Sequence, residues 1–103
     1  MPRSLSSATA LVLDALDRGV RHGFDLLDAT GLPSGTVYPI LRRLEQEGFA
    51  TSKWEPARLA QQEQRPPRRY YELTRDGREL VAEARARFPI FGAMTARPRP
   101  RRA

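Results

Sequence analysis

The sequence predicts a mainly α fold with a small β-hairpin, arranged as a winged helix-turn-helix. Three observations lead there. Apolar residues recur at helical spacing in three consecutive segments that end at glycines. Two later segments alternate apolar and polar residues, with a polar, Gln-rich stretch between them. A fourth helical segment then follows. The order is helix, helix, helix, strand, wing, strand, helix, or α-α-α-β-wing-β-α.

Each element has its own signal. Leu5, Ala8, Leu11, Val12, Ala15 and Leu16 fit one face of a first helix, with Ser4 or Ser6 as its cap and Gly19 as its stop. A short second helix starts near Arg21 or His22, carries Phe24, Leu26 and Leu27, and runs to about Thr30 before Gly31. Ser34 caps a third helix through Glu47, with Val37, Ile40, Leu41 and Leu44 inward and Gly48 at its end. Phe49 to Glu55 and Arg69 to Thr74 read as half-buried strands, and Pro56 to Arg68 as the loop between them. Tyr70 and Tyr71 must face opposite ways on their strand, so one belongs to the core. Trp54 reads as a packing residue under the wing or at a dimer contact. Thr74 or Asp76 opens a last helix bearing Leu80, Val81, Ala84 and Phe88, which Pro89 interrupts.

Composition narrows the possible functions. With 103 residues the chain has room for one small domain, expected over residues 1–94. A domain of that size buries only about two-thirds of its unfolded surface, which makes oligomerisation a natural source of stability. The chain has no Cys, hence no disulfide, thiolate metal site or cysteine nucleophile. It has one His, His22, and no second His or Cys to complete a metal set with Asp25 and Asp28. No phosphate-binding glycine loop is present, so the reading is of a non-enzyme without cofactor or metal. No apolar run approaches the roughly 18 residues of a membrane span, and the N-terminus lacks a signal-peptide pattern, so a cytoplasmic location is expected. The net charge is +6, but Arg97, Arg99, Arg101 and Arg102 contribute four of those charges. Residues 95–103 are expected to be a disordered Arg/Pro-rich tail, and the basic balance alone does not establish a nucleic-acid-binding fold.

The third helix carries the functional signal. Its outward side bears Gly35, Tyr38, Pro39, Arg42, Arg43 and Gln46 and no acid, while Glu45 and Glu47 lie at its flank and end. Arginine can pair bidentately with guanine edges, and Gly35 near the helix start lets backbone N–H groups approach a phosphate. Ser34 and Thr36 complete the expected DNA-facing set on this helix. In the hairpin, Arg65, Arg68 and Arg69 suit contacts to phosphate or to a narrow minor groove. Leu5, Leu11, Leu80, Val81, Ala84, Phe88 and Phe91 are expected to form a dimer interface, because helices one and four carry more apolar residues than one small domain needs. Two rival readings are a protein-interaction module and RNA binding through the Arg-rich tail. Retention of Arg42 and Arg43 counts against the first.

These residues also carry a family resemblance. Ser34 to Phe49 (SGTVYPILRRLEQEGF) resembles the signature of the PadR family of winged-helix transcriptional regulators, at Gly35, Thr36, Tyr38, Pro39, Leu41, Leu44, Glu45 and Gly48. HGFDLL (His22 to Leu27) and PRRYYELTRDG (Pro67 to Gly77) are similar to the stretches that flank it there. The match spans roughly residues 10 to 88, and the wing departs from the family in having Arg65-Pro66-Pro67. The resemblance implies a homodimeric repressor of palindromic promoter DNA, with the third helix in the major groove and the last helix helping to dimerise. It also implies a small aromatic effector as a further partner.

Overall fold

The computed structural model describes residues 5–89. It contains α1 (Ser7–Asp17), α2 (Gly23–Thr30), α3 (Ser34–Gln46), β1 (Ala50–Trp54), α4 (Ala57–Gln62), β2 (Arg69–Leu73) and α5 (Arg75–Arg87). Local chemistry explains most boundaries. Ser6 caps α1 by accepting a hydrogen bond from the Thr9 N–H at 3.1 Å, and Gly19 follows the helix with φ +97°. Gly31 ends α2 in the left-handed conformation. Pro33, not Ser34, is the residue that caps α3; Ser34 is the first helical residue. Thr74 caps α5 by accepting from the Gly77 N–H at 3.0 Å. That helix stops at Arg87, in keeping with the extended bias of a residue that precedes proline, here Phe88 before Pro89.

α1 is the hub. It packs against α2, α3, β2 and α5, and its Val12 and Leu13 are fully buried with Leu26 of α2 and Val37 and Leu41 of α3. The one carboxylate in this layer, Asp14, is buried but paired: Arg18 Nε and Arg85 Nε each donate to it at 2.9 Å. This ties α5 across α1, and Asp17 adds a second contact to Arg85 at 3.2 Å.

β1 and β2 pair antiparallel, from Ala50 opposite Leu73 to Trp54 opposite Arg69. Tyr71 is the buried tyrosine, while Tyr70 is half-buried with the His22 ring edge-on to it at 4.4 Å. Two expectations need correction here. Residues 56–68 are not wholly a loop, because Ala57–Gln62 forms a short helix that buries Ala60. Ala, Leu and Gln are good helix formers and Pro56 is well placed before a first turn, so the signal was present. Trp54 shares the hairpin face of Tyr71 but is 61% exposed at its end, and so is not packed beneath the wing.

Four of the residues expected at a dimer interface serve the protomer's own core: Leu5, Leu80, Val81 and Ala84 are all buried. The apolar excess that suggested a dimer face is thus partly taken up by the protomer's own core. Leu11 and Phe88 are half-buried, and Phe91 lies outside the described residues, as does the 95–103 tail. Among the described residues no helix is long and apolar enough to cross a membrane.

Gly77 fixes how closely α5 approaches the turn between α3 and β1. A Cβ at this position would overlap the Phe49 carbonyl oxygen, a backbone atom with little freedom to move. The Thr74 hydroxyl donates to the Gly48 carbonyl at 2.7 Å and the Thr74 N–H to the Phe49 carbonyl at 3.0 Å, which holds the two segments together. Gly77→Ala should therefore destabilise the fold by about 3 kcal/mol in urea denaturation. Gly35→Ala, at a position with open space around it, should change stability by less than about 1 kcal/mol.

Candidate nucleic-acid interface

α3 is divided lengthwise by burial. Val37, Ile40, Leu41 and Leu44 are buried, whereas Ser34, Gly35, Tyr38, Pro39, Arg42, Arg43 and Gln46 are exposed and Thr36 is half-buried. The helix runs unbroken through Pro39. Proline removes the N–H that would have reached the Gly35 carbonyl, but Gly35 is exposed, so water can satisfy that oxygen. The outer side is thus a continuous surface bearing an aromatic ring, an amide and two guanidinium groups. Arg42 makes no ion pair among the described residues.

Tyr38 is held by its neighbour on α2. Its ring lies so close to Gly23 that any Cβ there would collide with the phenol oxygen and the ring edge. A glycine at the start of α2 is therefore what lets the tyrosine ring approach the α2 backbone so closely. Beside it, His22 Nδ1 lies 2.9 Å from Asp25 Oδ2.

The hairpin arginines have three different fates. Arg65, expected to reach phosphate, points back into the wing instead. Its two terminal nitrogens donate to both oxygens of Glu55, at 2.5 and 3.1 Å, and its Nε donates to Glu63 at 2.9 Å. Glu55 also accepts the Arg68 N–H at 2.9 Å. The carboxylate is buried, and it is held ionised at a pKa of about 2, chiefly by the Arg65 hydrogen bonds. The same hydrogen bonds raise the pKa of Arg65. Arg69 lies along the hairpin: Nε donates to Ser52 Oγ at 3.0 Å and a terminal nitrogen is 3.5 Å from Glu45. Its guanidinium sits 5.5 Å from the Trp54 ring and 5.9 Å from the Tyr71 ring. Arg68 is exposed and makes no side-chain ion pair among the described residues.

Between the start of α2 and the wing, with α3 as its floor, lies an open cleft of about 870 Å³. Tyr38, Arg42, Arg68 and Arg69 all border it. Glu55 and Gly23 shape this surface, and sequence reading passed over both. A lone Glu at a strand end looks like any solvated acid, and nothing in the sequence marks the ten-residue span from Glu55 to Arg65 as a clamp.

The clamp has a defined pH dependence. A carboxyl whose pKa falls from 4.5 to about 2 on folding contributes stability that is fully present above about 4.5 and is lost as pH falls through about 2. The wing should therefore stay closed between pH 4.5 and 7. In hydrogen exchange at neutral pH, the Arg68 amide should exchange about tenfold faster in Glu55→Gln, because the charged acceptor is lost. Equal protection in the two proteins would show that Glu55 does not close the wing.

With this geometry in place, comparison with known proteins becomes informative. Residues 12–83 match the family described as "Transcriptional regulator PadR-like family". No curated protein matches the chain. Among solved structures, a PadR family transcription regulator from Clostridium difficile superposes with a TM-score of 0.70 at 18% identity, covering 88% of this chain and 96% of that one. BpsR of Bordetella bronchiseptica, whose DNA binding is regulated by 6-hydroxynicotinic acid, gives 0.69 at 26% identity, covering 89% of this chain and 61% of its own. A PadR-like transcription factor from Bacteroides fragilis gives 0.65 at 22% identity, with 85% of each chain covered. Helices, hairpin and the Tyr38-Pro39 helix face thus converge on one assignment: the chain belongs to the PadR-like family of winged-helix transcriptional regulators.

Proposed function

We propose that the protein is a sequence-specific repressor that binds palindromic promoter DNA as a homodimer. The observation that carries this reading is the outer side of α3, which is exposed, continuous and free of acids from Ser34 to Arg43. A helix entering the major groove needs donors for base edges and small groups where the backbone comes close. Arg42, Arg43 and Gln46 are the donors; Gly35 and Thr36 supply close approach; Tyr38 and Pro39 offer an apolar ledge to sugars and thymine methyls. Arg68 is the wing's phosphate contact. Arg69 buttresses the hairpin, and Arg65 acts only by closing the wing.

Two-fold symmetry would come from the half-buried residues that remain, Leu11 on α1 and Phe88 after α5, together with residues that follow position 89. Two α3 helices would then lie about 34–36 Å apart, one duplex turn. A small aromatic effector releases the protein from DNA in this reading, and a structural relative of this chain is regulated by such a compound. The arginines of residues 95–103 add affinity without adding sequence preference.

Selection of duplexes from a random pool tests the whole reading. The recovered sequences should be palindromic, with half-sites one turn apart, and light scattering should report a dimer at micromolar concentration. A pool that enriches no sequence, or a monomer with and without DNA, overturns it. Arg42→Ala should lose about 1–3 kcal/mol of specific binding and relax the preference at one base pair, while leaving thermal unfolding nearly unchanged. Truncation after Met94 should weaken binding to selected and random duplexes alike.

A further inference from the structure

Glu45 and Arg69 form a pair whose strength does not account for its construction. A terminal nitrogen of Arg69 is 3.5 Å from each Glu45 carboxylate oxygen, and both side chains are partly exposed. An ion pair of that length and exposure adds little to stability. Yet three elements combine to build it. Ser52 of β1 donates its hydroxyl to Glu45 of α3 at 2.6 Å and accepts from Arg69 Nε, on β2, at 3.0 Å. The register puts Ser52, Trp54, Arg69 and Tyr71 on one face of the hairpin, with the guanidinium 5.5 and 5.9 Å from the two ring centres.

The choice of partner matters more than the strength. Glu45 follows Arg42 by three residues, a spacing at which helical side chains commonly pair. Its contacts go instead to Ser52 and Arg69, and Arg42 has no acidic partner among the described residues. The acid on α3 thus cancels an arginine of the hairpin and spares the arginine of its own helix. Any uncancelled arginine near the groove adds a phosphate contact on every sequence, and such contacts supply essentially all non-specific binding. In a specific complex, base contacts fix the register, so a further cation meets a phosphate only where geometry allows. On random duplex the protein is free to settle wherever its cations and phosphates coincide. An additional free arginine therefore favours random DNA over the preferred site.

We infer that Glu45 is a selectivity residue: by holding Arg69 against the hairpin and cancelling its charge, it lowers affinity for random DNA more than for the preferred site. Ser52 is the positioning residue, since its hydroxyl turns the carboxylate toward the hairpin. The inference rests on the DNA-binding reading above and deepens it. Discrimination then comes from an acid that withholds a contact as well as from the donors that make them.

Glu45→Gln removes the charge and keeps an oxygen that can accept from Ser52, so thermal unfolding should be nearly unchanged. Random-sequence duplex should bind this variant about fivefold more tightly at 0.1 M salt, and the plot of log affinity against log salt should steepen by about 0.9. Affinity for a duplex recovered from the random pool should rise less than about twofold, so the ratio between the two falls. The double variant Glu45→Gln/Arg69→Gln exchanges one neutral pair for another, and its salt slope on random duplex should return to that of the unaltered protein. A brace with no part in selectivity behaves differently, because its loss weakens binding to both duplexes alike. The inference is overturned by that result, by an unchanged or flatter slope in Glu45→Gln, or by equal gains on both duplexes. A double variant with a flatter slope than the unaltered protein also overturns it, since Arg69 would then touch phosphate in spite of Glu45. A pool that enriches no sequence removes the DNA-binding reading and the inference together. A pool that enriches one, while Glu45→Gln binds random duplex no better, removes the inference alone.

Discussion

Burial of one side of α3 is the constraint on which the rest depends. Val37, Ile40, Leu41 and Leu44 have to be covered, and in so small a chain α1 is the element that can cover them. Once that side is spent on the core, Tyr38, Pro39, Arg42, Arg43 and Gln46 must face outward, since the helical period gives them nowhere else to go. The other elements hold that arrangement in place. The Asp14–Arg85 pair ties α5 across α1, and Gly77 lets α5 press against the turn that follows α3. The exposed side of α3 is thus a by-product of core packing, held in place by contacts elsewhere in the molecule.

Charge management explains why the wing is not simply a basic loop. Of the arginines at 65, 68 and 69, Arg65 is spent on Glu55 and Glu63, and Arg69 is laid against Ser52, Glu45 and two aromatic rings. A bidentate pair to a buried carboxylate has more geometric authority than a surface ion pair, which is worth little by itself. What the clamp accomplishes is order. It closes a thirteen-residue connection around Glu55 and sets the backbone from which Arg68 projects, because Arg68 gives its N–H to the same carboxylate. One arginine reaches out because another reaches in.

Much of this was legible in the sequence because it depends on period and punctuation. The glycines at 19, 31 and 48 all lie at positive φ just beyond helices, where the sequence placed the stops. The alternation in Arg69–Leu73 separates buried Tyr71 from half-buried Tyr70. What was illegible depends on pairings across space. Leu80, Val81 and Ala84 look the same in sequence whether they cover α1 of their own chain or a second copy, and the structure uses them for the former. Arg65 looks like any wing arginine until Glu55 is seen to face it. Trp54 reads as a packing residue because large apolar side chains usually are, and only the fold reveals that it was left exposed.

The same contacts make the outer side of α3 and the wing a rigid surface. The described residues are joined by short-range contacts at each junction: the Glu55–Arg65 pair across the wing, Asp14 across α1 and α5, and Thr74 across the turn that follows α3. Side chains that project from a backbone held in this way lose little freedom when a partner docks, and preorganisation of that kind lowers the cost of binding.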